Sequence, residues 1–130
     1  MGECVKKSVF TERAPAPVGP YSQAVVSGGL VFASGQLGMR PGERPEGSVE
    51  EQARIALENL DYVLRAAGSG MDCVLKVTVF LRSMNDFQAV NSIYGEFFRE
   101  PYPARAAFEV SRLPLDAAVE IEAVARLKES

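Results

Sequence analysis

The residues best suited to chemistry lie near the end of the chain, where two short segments alternate polar and apolar side chains. With the two-residue period of a strand, Arg105 falls on one face of residues 104–110, and Glu120 and Glu122 share one face of residues 118–126. In an antiparallel hairpin with both apolar faces on the same side, Arg105 lies opposite or diagonal to the two carboxylates. An arginine fork binds a carboxylate through paired hydrogen bonds, and an adjacent glutamate can orient or deprotonate a water molecule. The pattern therefore predicts a site for a small acid with an electrophilic carbon, although a structural ion pair would produce the same pattern.

Composition excludes several other kinds of chemistry. The chain has no histidine, which removes Ser-His-Asp triads, Cys-His pairs and histidine-ligated metal centres. Its formal net charge is −3, and no run of lysine and arginine offers a footprint for a nucleic-acid backbone. We therefore expect a small-molecule site that uses no metal and no cofactor, and we do not expect a nucleic acid as the partner.

Length and cysteine content suggest a single soluble unit. The 130 residues fit one domain spanning residues 1–130, and an apolar content of 47% can supply a core. Cys4 and Cys73 are far apart in sequence and are expected to be free thiols in a reducing compartment. No signal peptide and no membrane-spanning stretch is recognisable, so we expect a cytoplasmic protein, with a mitochondrial pool left open.

Local patterns predict the elements that must position these side chains. A glycine pair, Gly28-Gly29, predicts the turn of a hairpin, and Ser48 with Glu51 forms the capping box of a helix over residues 49–67. The complete prediction is a strand at 6–10, a hairpin at 25–34, a helix at 49–67, a strand at 74–81, a helix at about 84–98, and strands at 104–110 and 118–127.

The order β-β-β-α-β-α-β-β predicts an α+β fold. We expect a mixed six-stranded sheet with two helices on one face. Helices on one side leave the other side bare, and the strands carry apolar residues on both faces in places. We therefore expect the second face to be buried against other subunits.

Several motifs in a fixed order resemble the RidA branch of the Rid family, also called the YjgF family. The resemblance covers nearly the whole chain. It rests on residues 16–24 (APVGPYSQA), 33–36 (ASGQ), 85–98 (NDFQAVNSIYGEFF), 103–107 (PARAA), 113–114 (LP) and 119–123 (VEIEA).

The resemblance implies a chorismate-mutase-like fold, a homotrimer with a central barrel, and sites in the clefts between subunits. It also implies hydrolysis of reactive enamines and imines, such as 2-aminoacrylate and 2-iminobutanoate, to 2-keto acids and ammonia, a detoxifying step in amino-acid metabolism. In this chain Arg105 would bind the substrate carboxylate and Glu120 would handle the water, while Glu122 is left as structural or peripheral. The positions that would line the pocket are Tyr21, Ser34, Gly35, Asn91 and Ala107, the last of which is a cysteine in many bacterial members.

Two other functions remain open at this stage. Some proteins of the family are described as endoribonucleases and translation inhibitors, an activity that the net charge and the lack of histidine disfavour. A trimer that binds 2-keto acids without catalysis would need Arg105 alone, whereas catalysis also needs Glu120.

Overall fold

The predicted order of strands and helices is confirmed. The structure, a computed structural model, describes residues 2–129. Its elements are β1 (Lys7–Val9), β2 (Ala24–Ser27), β3 (Leu30–Leu37), α1 (Val49–Ala66), β4 (Val74–Leu81), α2 (Phe87–Phe97), β5 (Ala104–Glu109) and β6 (Val119–Arg126). Neither helix is long and apolar enough to cross a membrane, as far as residues 2–129 are concerned.

The local signals behave as the sequence indicates. Gly28 and Gly29 turn the β2–β3 hairpin with φ of 61° and 80°, a region that glycine enters without a steric penalty. The Ser48 hydroxyl accepts a hydrogen bond of 3.1 Å from the Glu51 backbone N–H and so caps α1. After α1 ends, Gly68 takes a φ of 89° and turns the chain away.

All six strands form one mixed sheet in the order β1-β2-β3-β6-β4-β5. Only β4 and β5 are parallel, because α2 connects them as a crossover helix. Helix α1 packs on β3, β6 and α2, and the core lies between the helices and one face of the sheet. The fold is therefore α+β with both helices on one face, as predicted.

The predicted hairpin between the last two strands is wrong. Strand β6 inserts between β3 and β4, so β4 separates β6 from β5, which becomes the edge strand. In β6 every second residue is buried, namely Val119, Ile121, Ala123 and Ala125, which suits a central strand. The residues of β5 are exposed or only partly buried. Sequence proximity alone does not decide which strands pair.

This strand order places Arg105 and Glu120 on opposite faces of the sheet. Arg105 is level with Val77 of β4, which is fully buried beneath the helices. Glu120 is level with Phe80, whose other neighbour, Phe108, is 44% exposed on the far face. Because residues in register across neighbouring strands point to the same side, the expected contact of Arg105 with Glu120 or Glu122 within one chain does not occur.

The face opposite the helices carries apolar side chains. Val25, Phe32 and Val124 form one row across it, and Phe80 and Phe108 pack edge to face with ring centroids 5.3 Å apart. Phe32 remains 47% exposed. Its burial by other subunits stays a prediction.

Candidate functional site

Arg105 lines a cavity between the edge strand and α2. The cavity has a volume of about 430 Å³. Its walls are Asn91, Tyr94, Gly95, Tyr102, Pro103 and Arg105. Three of these residues come from α2 and the others from the segment that leads into and begins β5, so the parallel β4-α2-β5 crossover builds the pocket.

The Arg105 guanidinium is held by neutral groups. Its Nη1 donates a 2.7 Å hydrogen bond to Oδ1 of Asn91. Its central carbon lies 4.7 Å from the ring centroid of Tyr94 and 5.4 Å from that of Phe87, both within the range of a cation–π interaction. Phe87, Asn91 and Tyr94 follow one another at i, i+4 and i+7, so they form a single face of α2.

No acidic side chain within residues 2–129 forms an ion pair with Arg105. A guanidinium has five N–H donors, and the hydrogen bond to Asn91 uses one of them. The other donors remain for a ligand in the cavity. This arrangement suits a carboxylate, which a guanidinium fork binds through two parallel hydrogen bonds.

Tyr94 is a functional candidate that the sequence analysis did not single out. Its side chain is 6% exposed, and its hydroxyl has no hydrogen-bond partner within residues 2–129. Burial raises the pKa of Tyr94, and the nearby positive charge of Arg105 partly opposes that rise. Its shared helical face with Asn91 was the available signal.

Glu120 lines a second cavity, of about 540 Å³, which also holds three of the predicted pocket residues. Tyr21, Ser34 and Gly35 lie on its wall. The remaining lining residues are mostly apolar: Pro15, Ala16, Val18, Gln23, Gln36, Leu37, Met39, Pro114 and Leu115. The Ser34 hydroxyl donates a 2.6 Å hydrogen bond to the Ser22 carbonyl, so it joins the loop before β2 to β3.

The Glu120 carboxyl packs against the backbone of Gly35. Register shifts between Ala33 and Gln36, which places Ser34 and Gly35 in a β-bulge opposite β6. A methyl group on Gly35 would lie 2.8 Å from the carboxyl carbon of Glu120, so only glycine allows this approach. Burial raises the pKa of Glu120, and the charge of Glu122 raises it further. A carboxylate of this kind is a stronger base than an exposed one.

Buried amide side chains hold the loops around the second cavity. The Gln23 amide nitrogen donates to the carbonyls of Thr11, Ala14 and Pro15, and its oxygen accepts from the Thr11 N–H. The Asn59 amide nitrogen donates to the carbonyls of Leu37 and Met39. The Gln23 bonds order a proline-rich segment that has no secondary structure of its own, and the Asn59 bonds hold the end of β3.

The predicted site residues thus form two groups. Asn91 lies with Arg105, whereas Tyr21, Ser34 and Gly35 lie with Glu120. One predicted pocket residue, Ala107, lines neither cavity and packs partly buried against the core. Glu122, which the sequence left as structural or peripheral, is exposed beside Glu120. The structure brings together no three His, Cys, Asp or Glu side chains that could hold a metal ion anywhere in residues 2–129.

Comparison with known proteins identifies relatives over almost the entire chain. A RutC family protein of Pyrococcus horikoshii is 50% identical over 123 residues, which is 93% of this chain and 98% of that one. The human protein named 2-iminobutanoate/2-iminopropanoate deaminase is 44% identical over 127 residues, covering 96% of this chain and 93% of its own. The crystal structure of Escherichia coli TdcF with bound serine superposes with a TM-score of 0.88 at 41% identity, covering 94% of this chain and 99% of the other.

Residues 11–127, which include the lining of both cavities, match the family model described as endoribonuclease L-PSP. That match extends over far more than half of the sequence. The chain belongs to the endoribonuclease L-PSP family, which is also known as the Rid or YjgF family.

Proposed function

We propose that the protein hydrolyses 2-imino acids and their enamine tautomers, such as 2-iminobutanoate and 2-aminoacrylate, to 2-keto acids and ammonia. The observation that carries the proposal is the state of Arg105. Its guanidinium lines a cavity, rests on two aromatic rings and forms no ion pair with the rest of residues 2–129. Because the guanidinium is exposed and no acidic side chain within residues 2–129 pairs with it, it can bind a substrate carboxylate through two parallel hydrogen bonds.

The reaction needs little beyond positioning and one base. An iminium carbon is already electrophilic, so a water molecule held close to it can attack without a covalent intermediate. Arg105 fixes the carboxylate, and Glu120 takes a proton from the water as its oxygen bonds to C2. In the resulting carbinolamine Glu120 returns that proton to the nitrogen, the C–N bond breaks and ammonia leaves. The hydroxyl group passes its proton to the Glu120 carboxylate, the C2 carbonyl of the keto acid forms, and ammonia carries the proton away as ammonium.

The two residues can meet only if the site is built from more than one copy of the chain. Arg105 and Glu120 face opposite sides of one sheet, so neither can turn to the other without unfolding a strand. The geometry calls for at least two copies, and the family resemblance implies three; we propose a homotrimer in which Arg105 of one copy faces the Glu120 cavity of the next. The exposed Phe32 and Phe108 side chains on the face without helices support an assembly that covers this surface.

The relatives support the same reading. A human protein 44% identical to this chain carries the name of an imine deaminase, and TdcF was crystallised with serine, a small molecule with one carboxylate.

A coupled assay tests the activity. Threonine dehydratase releases 2-iminobutanoate in situ, and the accelerated appearance of 2-ketobutanoate measures hydrolysis. We expect Arg105→Ala and Glu120→Ala each to lower kcat/KM by roughly 10²-fold or more, because each removes a group that acts only through correct placement. Acceleration that is unchanged in both variants would overturn the proposal.

Mixing the two inactive variants tests the shared site. After joint refolding at a 1:1 ratio, about a quarter of the interfaces of a closed ring pair an intact Arg105 with an intact Glu120. We expect recovery of about that fraction of wild-type activity, whereas a site contained in one chain would recover none.

The assay also separates the alternatives. A 2-keto acid that binds to wild-type protein without any turnover of the imine would favour a non-catalytic binding trimer. RNA cleavage that copurifies with the protein and persists in Arg105→Ala would favour a nuclease.

A further inference from the structure

The loop between β5 and β6 contains two consecutive residues in a left-handed conformation. Leu115 has a φ of 56° and Asp116 a φ of 54°. Neither is glycine, and a side chain that starts at Cβ makes this region unfavourable. Backbone strain of this kind persists where the surrounding structure enforces it, and it is concentrated at functional sites.

Several hydrogen bonds hold the strained loop in place. Nη1 of Arg82 donates a 2.8 Å bond to the Asp116 carbonyl, and the Asp116 N–H donates to the Leu113 carbonyl at 3.2 Å. The loop is then anchored to α1, because the Ala118 N–H donates a 2.9 Å bond to Oε1 of the buried Gln52. The strained geometry is therefore built into the fold and is not a feature of a loose surface segment.

The strained backbone presents the Leu115 side chain to the Glu120 cavity. Leu115 is 43% exposed and lines that cavity together with Val18, which is 93% exposed, and Met39. Glu120 is the single charged side chain on the wall that residues 2–129 provide. An apolar wall around a lone carboxylate favours an uncharged, apolar group in the remaining space.

We propose that Leu115 is a specificity-determining residue and that the protein favours 2-imino acids with apolar side chains larger than a methyl group. This inference rests on the proposed function, with the substrate carboxylate at Arg105 and its C2 near Glu120. The substrate side chain then packs on Leu115, Val18 and Met39. An acidic substrate side chain is rejected, because it would lose its hydration and meet the charge of Glu120.

The backbone strain offers a variant that separates selectivity from stability. Leu115→Gly removes the side chain from the cavity, and glycine accepts the left-handed φ freely, so folding is preserved. Asp116→Gly is the matched control, since it relieves the same strain at the next residue but changes no side chain that lines the cavity. Thermal denaturation should show both variants melting at or near the wild-type temperature.

The measurement is the ratio of kcat/KM for the 2-imino acids that an amino-acid oxidase forms from leucine and from alanine. We expect Leu115→Gly to lower the leucine-to-alanine ratio by about tenfold, within the range that methylene-sized contacts in an apolar pocket control. Asp116→Gly should keep the wild-type ratio. Leu115→Lys should improve the relative rate with the imine from glutamate, because it adds a positive charge to the same wall.

A Leu115→Gly protein that hydrolyses both imines at the wild-type ratio would overturn the inference and leave the proposed function standing. If wild-type protein hydrolyses neither imine, the proposed function fails. Calorimetric binding of 4-methyl-2-oxopentanoate and pyruvate then decides the role of Leu115. We expect Leu115→Gly to lose about tenfold of the preference for the larger acid, and equal loss for both acids would reject the assignment.

Discussion

A single methyl group on Gly35 should disable the proposed base. Gly35 lies in the β-bulge of β3, and its backbone is outside the left-handed region, so alanine meets no backbone strain there. The new Cβ would lie 2.8 Å from the carboxyl carbon of Glu120 and 3.0 Å from its Cγ. Non-bonded carbon atoms pack at about 3.5–4.0 Å, so the Glu120 side chain must move by about 1 Å.

A displacement of that size sets the expected loss. Misplacing a catalytic group by about 1 Å can cost about 10²-fold in rate, which corresponds to roughly 2.7 kcal/mol of transition-state stabilisation. In the proposed shared site Arg105 comes from a neighbouring copy, and the added methyl group crowds only Glu120 among the side chains of its own chain, so the grip of Arg105 on the carboxylate should change little. We therefore expect kcat for 2-iminobutanoate to fall about 10²-fold, while the dissociation constant for 2-ketobutanoate stays within about threefold of wild type.

Steady-state kinetics with threonine dehydratase as the imine source, together with calorimetric binding of 2-ketobutanoate, makes this measurement. Gly70→Ala is the control, since its methyl group would lie 2.8 Å from Oδ1 of the exposed Asp72 and would crowd a carboxyl that has no part in the proposed site. The control should retain the wild-type kcat. A Gly35→Ala enzyme with at least half of the wild-type kcat would refute the assignment of Glu120 as a closely positioned base.

Substitutions at Tyr94, Glu122 and Ser48 test three other contacts of the fold and the site. Tyr94→Leu removes a ring beneath Arg105 and should raise KM for 2-imino acids about tenfold. Tyr94→Phe keeps the ring and removes a buried hydroxyl that has no partner within residues 2–129, so it should raise the free energy of unfolding by about 1 kcal/mol. Equal KM values in the two variants would contradict the cation–π role of Tyr94. A base acts when deprotonated, and burial and then Glu122 raise the pKa of Glu120, so kcat/KM should begin to fall on acidification at a higher pH than an ordinary glutamate would cause. Glu122→Gln should move this acidic limb of the profile to lower pH. An unmoved limb would rule out the effect of the Glu122 charge on Glu120. Ser48→Ala removes the hydroxyl that caps α1 and should lower the free energy of unfolding, measured by urea titration, by about 1 kcal/mol. The value of kcat should not change. Unchanged stability would show that the N-cap of α1 is dispensable.

Features that depend on neighbouring residues in the chain were predictable from the sequence. The Gly28-Gly29 turn and the N-cap at Ser48 act over a few residues, so composition and spacing are sufficient to recognise them. The alternation along β5 and β6 also holds: Arg105 and Glu109 share one face, and Glu120 and Glu122 share another. Period-two alternation defines which residues share a face and does not define which face meets the core.

The candidate site depended on strand order, which local patterns leave open. Burial of the apolar side of residues 104–110, as the sequence predicts, would put Phe108 in the core, yet β5 is an edge strand and Phe108 is 44% exposed. In the trimer that we propose, another subunit would cover Phe108, so its hydrophobicity alone does not show which face of β5 meets the core.

The sequence alone established the α+β order of elements and the family resemblance. It also singled out Arg105 as a group that can bind a carboxylate and Glu120 as a group that can activate water. Only the tertiary structure revealed that these two residues point in opposite directions and that α2 supplies the ring of Tyr94 beneath Arg105. It alone revealed the left-handed backbone that carries Leu115 to the Glu120 cavity. The physical reason is that contacts between segments far apart in the chain decide both features. They determine which strands pair, and their hydrogen bonds enforce the strained backbone, so neighbouring residues alone cannot predict either.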